Sequence, residues 1–157
     1  MAASSRWRIG LGLFTALAAI AAVLAPPGSI RAQGPASERV PVNVMVVQTS
    51  NKKGEVDPRA QELHEKLKKQ LRYRSMRVIQ EQRVDLEMNQ VGTVDLPDGR
   101  KVRMRPLHKG VNGVLMAVDV QGAVKLDARA PNHHKVVIGA GEYENGNLAV
   151  SIEPDYE

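Results

Sequence analysis

The sequence predicts an α+β fold: a mostly antiparallel β-sheet or sandwich of about seven strands, with one amphipathic helix near the N-terminus of the mature chain. Three observations carry that expectation. Leucines recur at helical spacing in one stretch, at Leu63, Leu67 and Leu71. Nearly everything after them alternates apolar and polar residues between Gly, Asn and Pro punctuation, the period-2 signature of hairpins. Cysteine is absent, so no disulfide staples the chain and stability rests on packed aliphatic side chains.

The first segment is read as a secretory signal peptide. Arg6 and Arg8 precede a seventeen-residue greasy run from Ile9 to Ala25, then Pro26, Pro27 and Gly28, then Ile30-Arg31-Ala32 before Gln33. The expected cut falls between Ala32 and Gln33. That gives 1–32 as signal peptide, 33–41 as a polar flexible leader and 42–157 as a single β-rich domain. The competing reading keeps Ile9–Ala25 as a membrane anchor, but the run is at the short end of spanning length. Pro26-Pro27 and the small Ala32 favour cleavage. With no cysteine there is no site for a cysteine-linked lipid, and Trp7 breaks any twin-arginine pair.

Removing the leader changes the charge. The chain has 22 Lys+Arg and 17 Asp+Glu, and taking away Arg6, Arg8 and Arg31 leaves 19 against 17, a surplus of 2. So small a surplus argues against a dedicated nucleic-acid binder. Trp7 and Phe14 leave as well, so Tyr73, Tyr143 and Tyr156 are the remaining aromatics. Three scattered tyrosines make a poor stacking platform for sugars or unpaired bases.

Val42–Val47 is a short β-branched run with apolar residues on both faces, read as a strand; Thr49–Val56 is a solvated loop. Asp57-Pro58 opens the helix, with Asp as N-cap and Pro at the first helical position. Ala60 extends the leucine stripe, and Glu62/Lys66 and Glu65/Lys69 are spaced for i,i+4 pairing. Lys66, Lys68, Lys69, Arg72 and Arg74 gather where they complement the helix dipole, and the helix is expected to end near Tyr73. Then Met76 and Val78 alternate with Arg77 and Ile79, and Val84, Leu86 and Met88 with Asp85, Glu87 and Asn89. Val94 and Leu96 lead into the turn Pro97-Asp98-Gly99-Arg100. Val102 and Met104 oppose Lys101, Arg103 and Arg105. Asn112-Gly113 is a hairpin dipeptide ahead of Val114, Met116, Val118 and Val120. Val124, Leu126 and Ala128 oppose Lys125, Asp127 and Arg129. Pro131–His134 is a loop, Val136–Ile138 an apolar strand, and Glu144-Asn145-Gly146-Asn147 turns into Leu148, Val150 and Ile152. The helix must bury its leucines against one face or end of the sheet.

Several of these features together carry a resemblance: Asp57-Pro58 before the leucine stripe, Tyr73-Arg74-Ser75 after it, Leu96-Pro97-Asp98-Gly99-Arg100, Gly139-Ala140-Gly141 and Gly146-Asn147-Leu148. Over most of Val42–Glu153 the pattern resembles small exported bacterial proteins of the myxobacterial kind with no assigned activity. The resemblance implies export and a helix-plus-sheet layout, and supplies no catalytic residue.

The candidate sites are few. His133-His134 in a loop, with His64 or His108 as a third ligand, would suit a metal, yet no His-x-x-x-His or His-Glu-x-x-His spacing preorganises them. A solvent-exposed pair is the simpler expectation, and no metal or cofactor is assigned. The cations Lys66, Lys68, Lys69, Arg72 and Arg74, with Lys101, Arg103 and Arg105, are a candidate anionic-surface contact for lipid or polysaccharide; interleaved acids make an ordinary solvated face the competing reading. Gly139-Ala140-Gly141-Glu142 lacks the lysine and helix of a phosphate loop and is read as a bend between strands. Asp85 and Glu87 share a strand face without a visible cleft. Ser37, Ser50, Ser75 and Ser151 lack the glycine-flanked elbow of a nucleophile.

The function expected is an exported, non-enzymatic binding or accessory domain of the cell envelope, periplasmic or extracellular. Its partner would be another envelope or secreted protein, with no nucleic acid and at most peripheral membrane contact. The alternatives are a small metal-assisted enzyme around His133/His134 and an anionic-surface binder using the basic helix end.

Overall fold

The computed structural model describes residues 38–68 and 73–157. The expected signal peptide and its Ala32/Gln33 cut lie outside the described residues, as do Lys69, Leu71 and Arg72. Strand β1 spans Arg39–Ser50; a 3-10 turn, Pro58–Ala60, runs into helix α1, Gln61–Leu67. Seven further strands follow: β2 Ser75–Glu87, β3 Gly92–Asp95, β4 Lys101–Gly110, β5 Gly113–Val120, β6 Val124–Ala130, β7 Val136–Tyr143 and β8 Gly146–Pro154.

They form two four-stranded sheets, ordered β2-β1-β8-β7 (sheet A) and β3-β4-β5-β6 (sheet B), with every strand pair antiparallel. Strands adjacent in sequence are therefore adjacent in space, and the β1–β8 pairing brings the ends of the series together. The β2–β3 and β6–β7 links cross from one sheet to the other without a ladder. The result is an up-and-down meander split into a sandwich.

Alternation decides the faces. Val40, Val42, Val44 and Val46 of β1 point between the sheets, where they meet Val102 and Met104 of β4, the even residues Val114–Val120 of β5, and Ile138, Leu148, Val150 and Ile152. Met45 and Val47 point the other way, where Ala60, Leu63 and Leu67 of the helix segment cover them together with Met76, Val78 and Ala149. Each leucine so buried contributes roughly 1.5–3 kcal/mol.

A β-bulge makes this two-sided use of sheet A possible. Met76, Val78, Val84 and Leu86 all have even numbers, so a regular β2 would place them on one face. The register shifts by one where Val46 pairs with Gln80 and Val47 with Val78, leaving Ile79 as the extra residue. Val84 and Leu86 therefore join the sandwich core, while Met76 and Val78 join the helix cluster.

Several expectations are corrected. Among the described residues the strands number eight, not about seven, since even the four-residue β3 pairs fully with β4. The helix is not an N-terminal element: β1 precedes it. The segment expected as a flexible leader, 33–41, overlaps β1, which begins at Arg39. Pro41 is tolerated there because its carbonyl accepts from Asp155 N–H at 2.9 Å, just beyond the end of the β1–β8 ladder, so its missing donor falls where β8 pairing has ceased. Gly139-Ala140-Gly141 is not a bend between strands but lies within β7, as an irregularity in its pairing with β8. The helical segment ends its described course at Leu67, short of Tyr73, which is not helical.

The start of the helical segment and two turns follow the sequence. Asp57 accepts from Arg59 N–H at 3.0 Å. Gly99 has φ +83, as its turn demands. At Gly113, φ is +106 and an added Cβ would lie 2.4 Å from the Ala130 carbonyl oxygen, so the hairpin tolerates glycine alone. No helix among the described residues is long and apolar enough to cross a membrane.

Candidate functional site

The two sheets present different outer faces. On sheet A, α1 covers the apolar half. The uncovered half carries Asn43, Glu81, Arg83 and Glu153, which β1, β2 and β8 place in adjacent rows. Lys135, just before β7, joins these elements: its Nζ lies 2.5 Å from Glu62 of the helix and 3.9 Å from Glu153 of β8. Glu62 also meets Lys66 at 2.9 Å. Hydrogen bonds from Lys135 and then Lys66 pull the Glu62 carboxyl from 4.5 down to about 2, and the same Glu62 contact raises the Lys135 ammonium. Arg59 turns back on Asp57 at 2.9 Å and holds that carboxyl low. A small cavity of about 260 Å³ lies among Arg59, Glu81, Lys135 and Glu153. Most of the charges around it are already paired, so this region works as a clamp between helix and sheet.

Among the described residues, no helix lies over the outer face of sheet B. Cross-strand register lays out rows there: Thr93, Arg103, Asp119 and Lys125; then Arg105, Ala117 and Asp127; then His108, Leu115 and Arg129. Asp95 and Lys101 pair at one end at 2.7 Å, and Asp119 meets Lys125 at 3.4 Å. The face holds five cations (Lys101, Arg103, Arg105, Lys125, Arg129) against three carboxylates (Asp95, Asp119, Asp127). Its surplus of 2 equals that of residues 33–157 as a whole, 19 against 17. Among the described arginines, Arg39, Arg59, Arg83 and Arg100 sit in ion pairs and Arg77 donates to Gln48. Arg103, Arg105 and Arg129 do neither, and all three are exposed on this face. Arg74, outside the face, shares that state. Ala117 leaves a depression of about 430 Å³ bounded by Arg103, Arg105, Asp119, Lys125 and Asp127.

The residues singled out by sequence fall apart in space. Lys66 and Lys68 are paired with Glu62 and Glu65, and Arg74 is exposed beside β2. The helix packs on the outer side of sheet A, whereas Lys101, Arg103 and Arg105 face outward from sheet B, on the opposite side of the core. The helix and strand cations therefore do not build one surface. His133 adopts φ +57 and meets Asp155 at 3.2 Å, while His134 Nδ1 donates to the Asn132 carbonyl at 2.8 Å. His64 sits on the helix, where its Nδ1 is buried without a hydrogen-bond partner, and His108 lies on the outer face of sheet B. Among the described residues, no three His, Asp or Glu side chains converge as a metal site. Asp85 and Glu87 pair with Arg83 and Arg39, at 3.9 and 3.6 Å.

A larger groove, about 580 Å³, lies between the loop after β1 and the start of β2. Its polar groups are largely occupied: Arg77 donates to Gln48, Gln48 to Glu144, Ser50 to the Asn145 carbonyl. Sequence reasoning placed Lys101, Arg103 and Arg105 on one strand face but missed that Arg129 and the Ala117 depression join them. The signal was the outward phase of β6, legible once β5 is set between β4 and β6. No family model, curated protein or solved structure matches this chain.

Proposed function

We propose that this protein is an exported, non-enzymatic binding domain of the cell envelope and that the outer face of sheet B is its contact surface. The observation that carries the reading is the placement of Arg103, Arg105 and Arg129, all without an ion pair, on one uncovered four-stranded face. Unpaired arginines on a rigid sheet are ready donors for carboxylates, and arginine is enriched at protein interfaces. Export is supported by Arg6 and Arg8 ahead of the Ile9–Ala25 run and by Ala32 before Gln33. The metal-assisted alternative has less behind it, since among the described residues no third His, Asp or Glu side chain converges with His133 and His134.

The test is site-specific photocrosslinking in native envelope material, with the crosslinker placed at Ala117 on sheet B or at Glu81 on sheet A. The reading predicts a protein adduct from Ala117 and none from Glu81. Absence of any protein adduct from either position, with a small molecule retained by the purified protein, would overturn it.

A further inference from the structure

Resting on that reading, we propose that the outer face of sheet B docks an acidic segment of its partner in extended conformation, laid along β4. Lys101, Arg103 and Arg105 occupy every second position of β4 and point outward. That spacing is about 6.8 Å per step. A peptide in β conformation with carboxylates at every second residue has the same repeat, so Arg103 and Arg105 each meet a carboxylate in register without either backbone bending, while Lys101 stays with Asp95. Arg129 stands two strands away, roughly 10 Å across β5, and reaches a second row of acids.

The face also selects against other occupants. Its five cations and three carboxylates make it like-charged toward a second copy of itself. Asp95 and Asp119 stand opposite Lys101 and Arg103 in the cross-strand register, and would repel a continuous sheet of lipid phosphates or a polyphosphate chain. A partner protein can set cations of its own opposite those aspartates. Leu115 and Ala117 add two half-buried apolar spots between the charged rows, which a protein side chain can cover and a polyanion cannot use. The depression over Ala117 has room for one acidic side chain held between Arg105 and Arg103.

Fluorescence anisotropy tests this on the protein purified from its producing cells. The probe is a labelled peptide with glutamate at every second position and serine between. A peptide of the same composition with its glutamates in one block serves as comparison, with polyphosphate and anionic lipid vesicles as further ligands. The alternating peptide should bind best, and Arg103→Glu/Arg105→Glu should weaken it by about tenfold or more, while Lys53→Glu in the exposed loop after β1 has little effect. Equal binding of the blocked peptide, polyphosphate or vesicles overturns the proposal. So does an equal loss in Lys53→Glu, or a dimer that the double charge reversal dissolves. Absence of binding by every ligand also overturns it, yet leaves the broader reading to stand or fall with the Ala117 crosslink.

Discussion

The outer face of sheet A and the outer face of sheet B are built from the same alternation but put to different uses. On sheet A the outward residues of β1 include Met45 and Val47, and the helix covers these two. On sheet B the outward residues of β4 are Lys101, Arg103 and Arg105, and nothing in the described chain covers them. Charges on sheet A tie elements together, as Lys135 does for Glu62 and Glu153. Arginines on sheet B tie nothing. A face whose charges are consumed serves the fold, and a face whose charges are left over is free for something else.

That contrast can be attacked at several points, in falling order of effect. Deleting Ile79 removes the bulge and sends either Met76 and Val78 or Val84 and Leu86 to the wrong face of β2. The expected result is loss of cooperative thermal unfolding by circular dichroism. A cooperative melt would show that the helix cluster does not depend on the register shift.

Leu63→Ala empties the centre of the helix cluster, and about 3 kcal/mol of stability should disappear in urea titration. A cost below about 1 kcal/mol would mean that α1 is an ornament on sheet A.

Lys135→Met breaks the clamp, with an expected cost of about 1 kcal/mol at neutral pH, kept small because Glu62 is 58% exposed. The acid dependence has a definite sign. The Glu62 carboxyl is depressed to about 2 in the folded protein, so its contribution is complete above its ordinary 4.5 and is lost as pH falls toward 2. Lys135→Met should flatten that stretch of the stability profile, and an unchanged slope would remove the clamp from the account. Smallest of all, Arg103→Ala/Arg105→Ala should shift stability by no more than about 0.5 kcal/mol, because neither side chain is paired. A larger loss would make sheet B's cations structural after all.

How much of this was legible depends on what each feature needs. The run Val114–Val120 with Asn112-Gly113 before it reads directly as a strand after a hairpin turn, since alternation and turn chemistry are local. The N-cap at Asp57 is local too, and so is the Gly99 turn. Residues 76–88 misled because the parity of Met76, Val78, Val84 and Leu86 is continuous, and only pairing with β1 reveals the bulge at Ile79. Gly139 and Gly141 looked like punctuation, yet the β7–β8 ladder runs through them with an irregularity. The basic residues of helix and β4 looked like one patch because sequence does not say which sheet a strand joins. Arg129 entered the candidate face through register alone, across β5.

The most direct trial of the division between the faces is arginine footprinting with a dicarbonyl reagent, read by mass spectrometry in purified protein and in native envelope material. Arg103, Arg105 and Arg129 should react readily when the protein is alone and become shielded in the envelope, while Arg74 reacts alike in both. Equal reactivity of the three arginines in the two settings, or shielding confined to Arg74, would contradict the account.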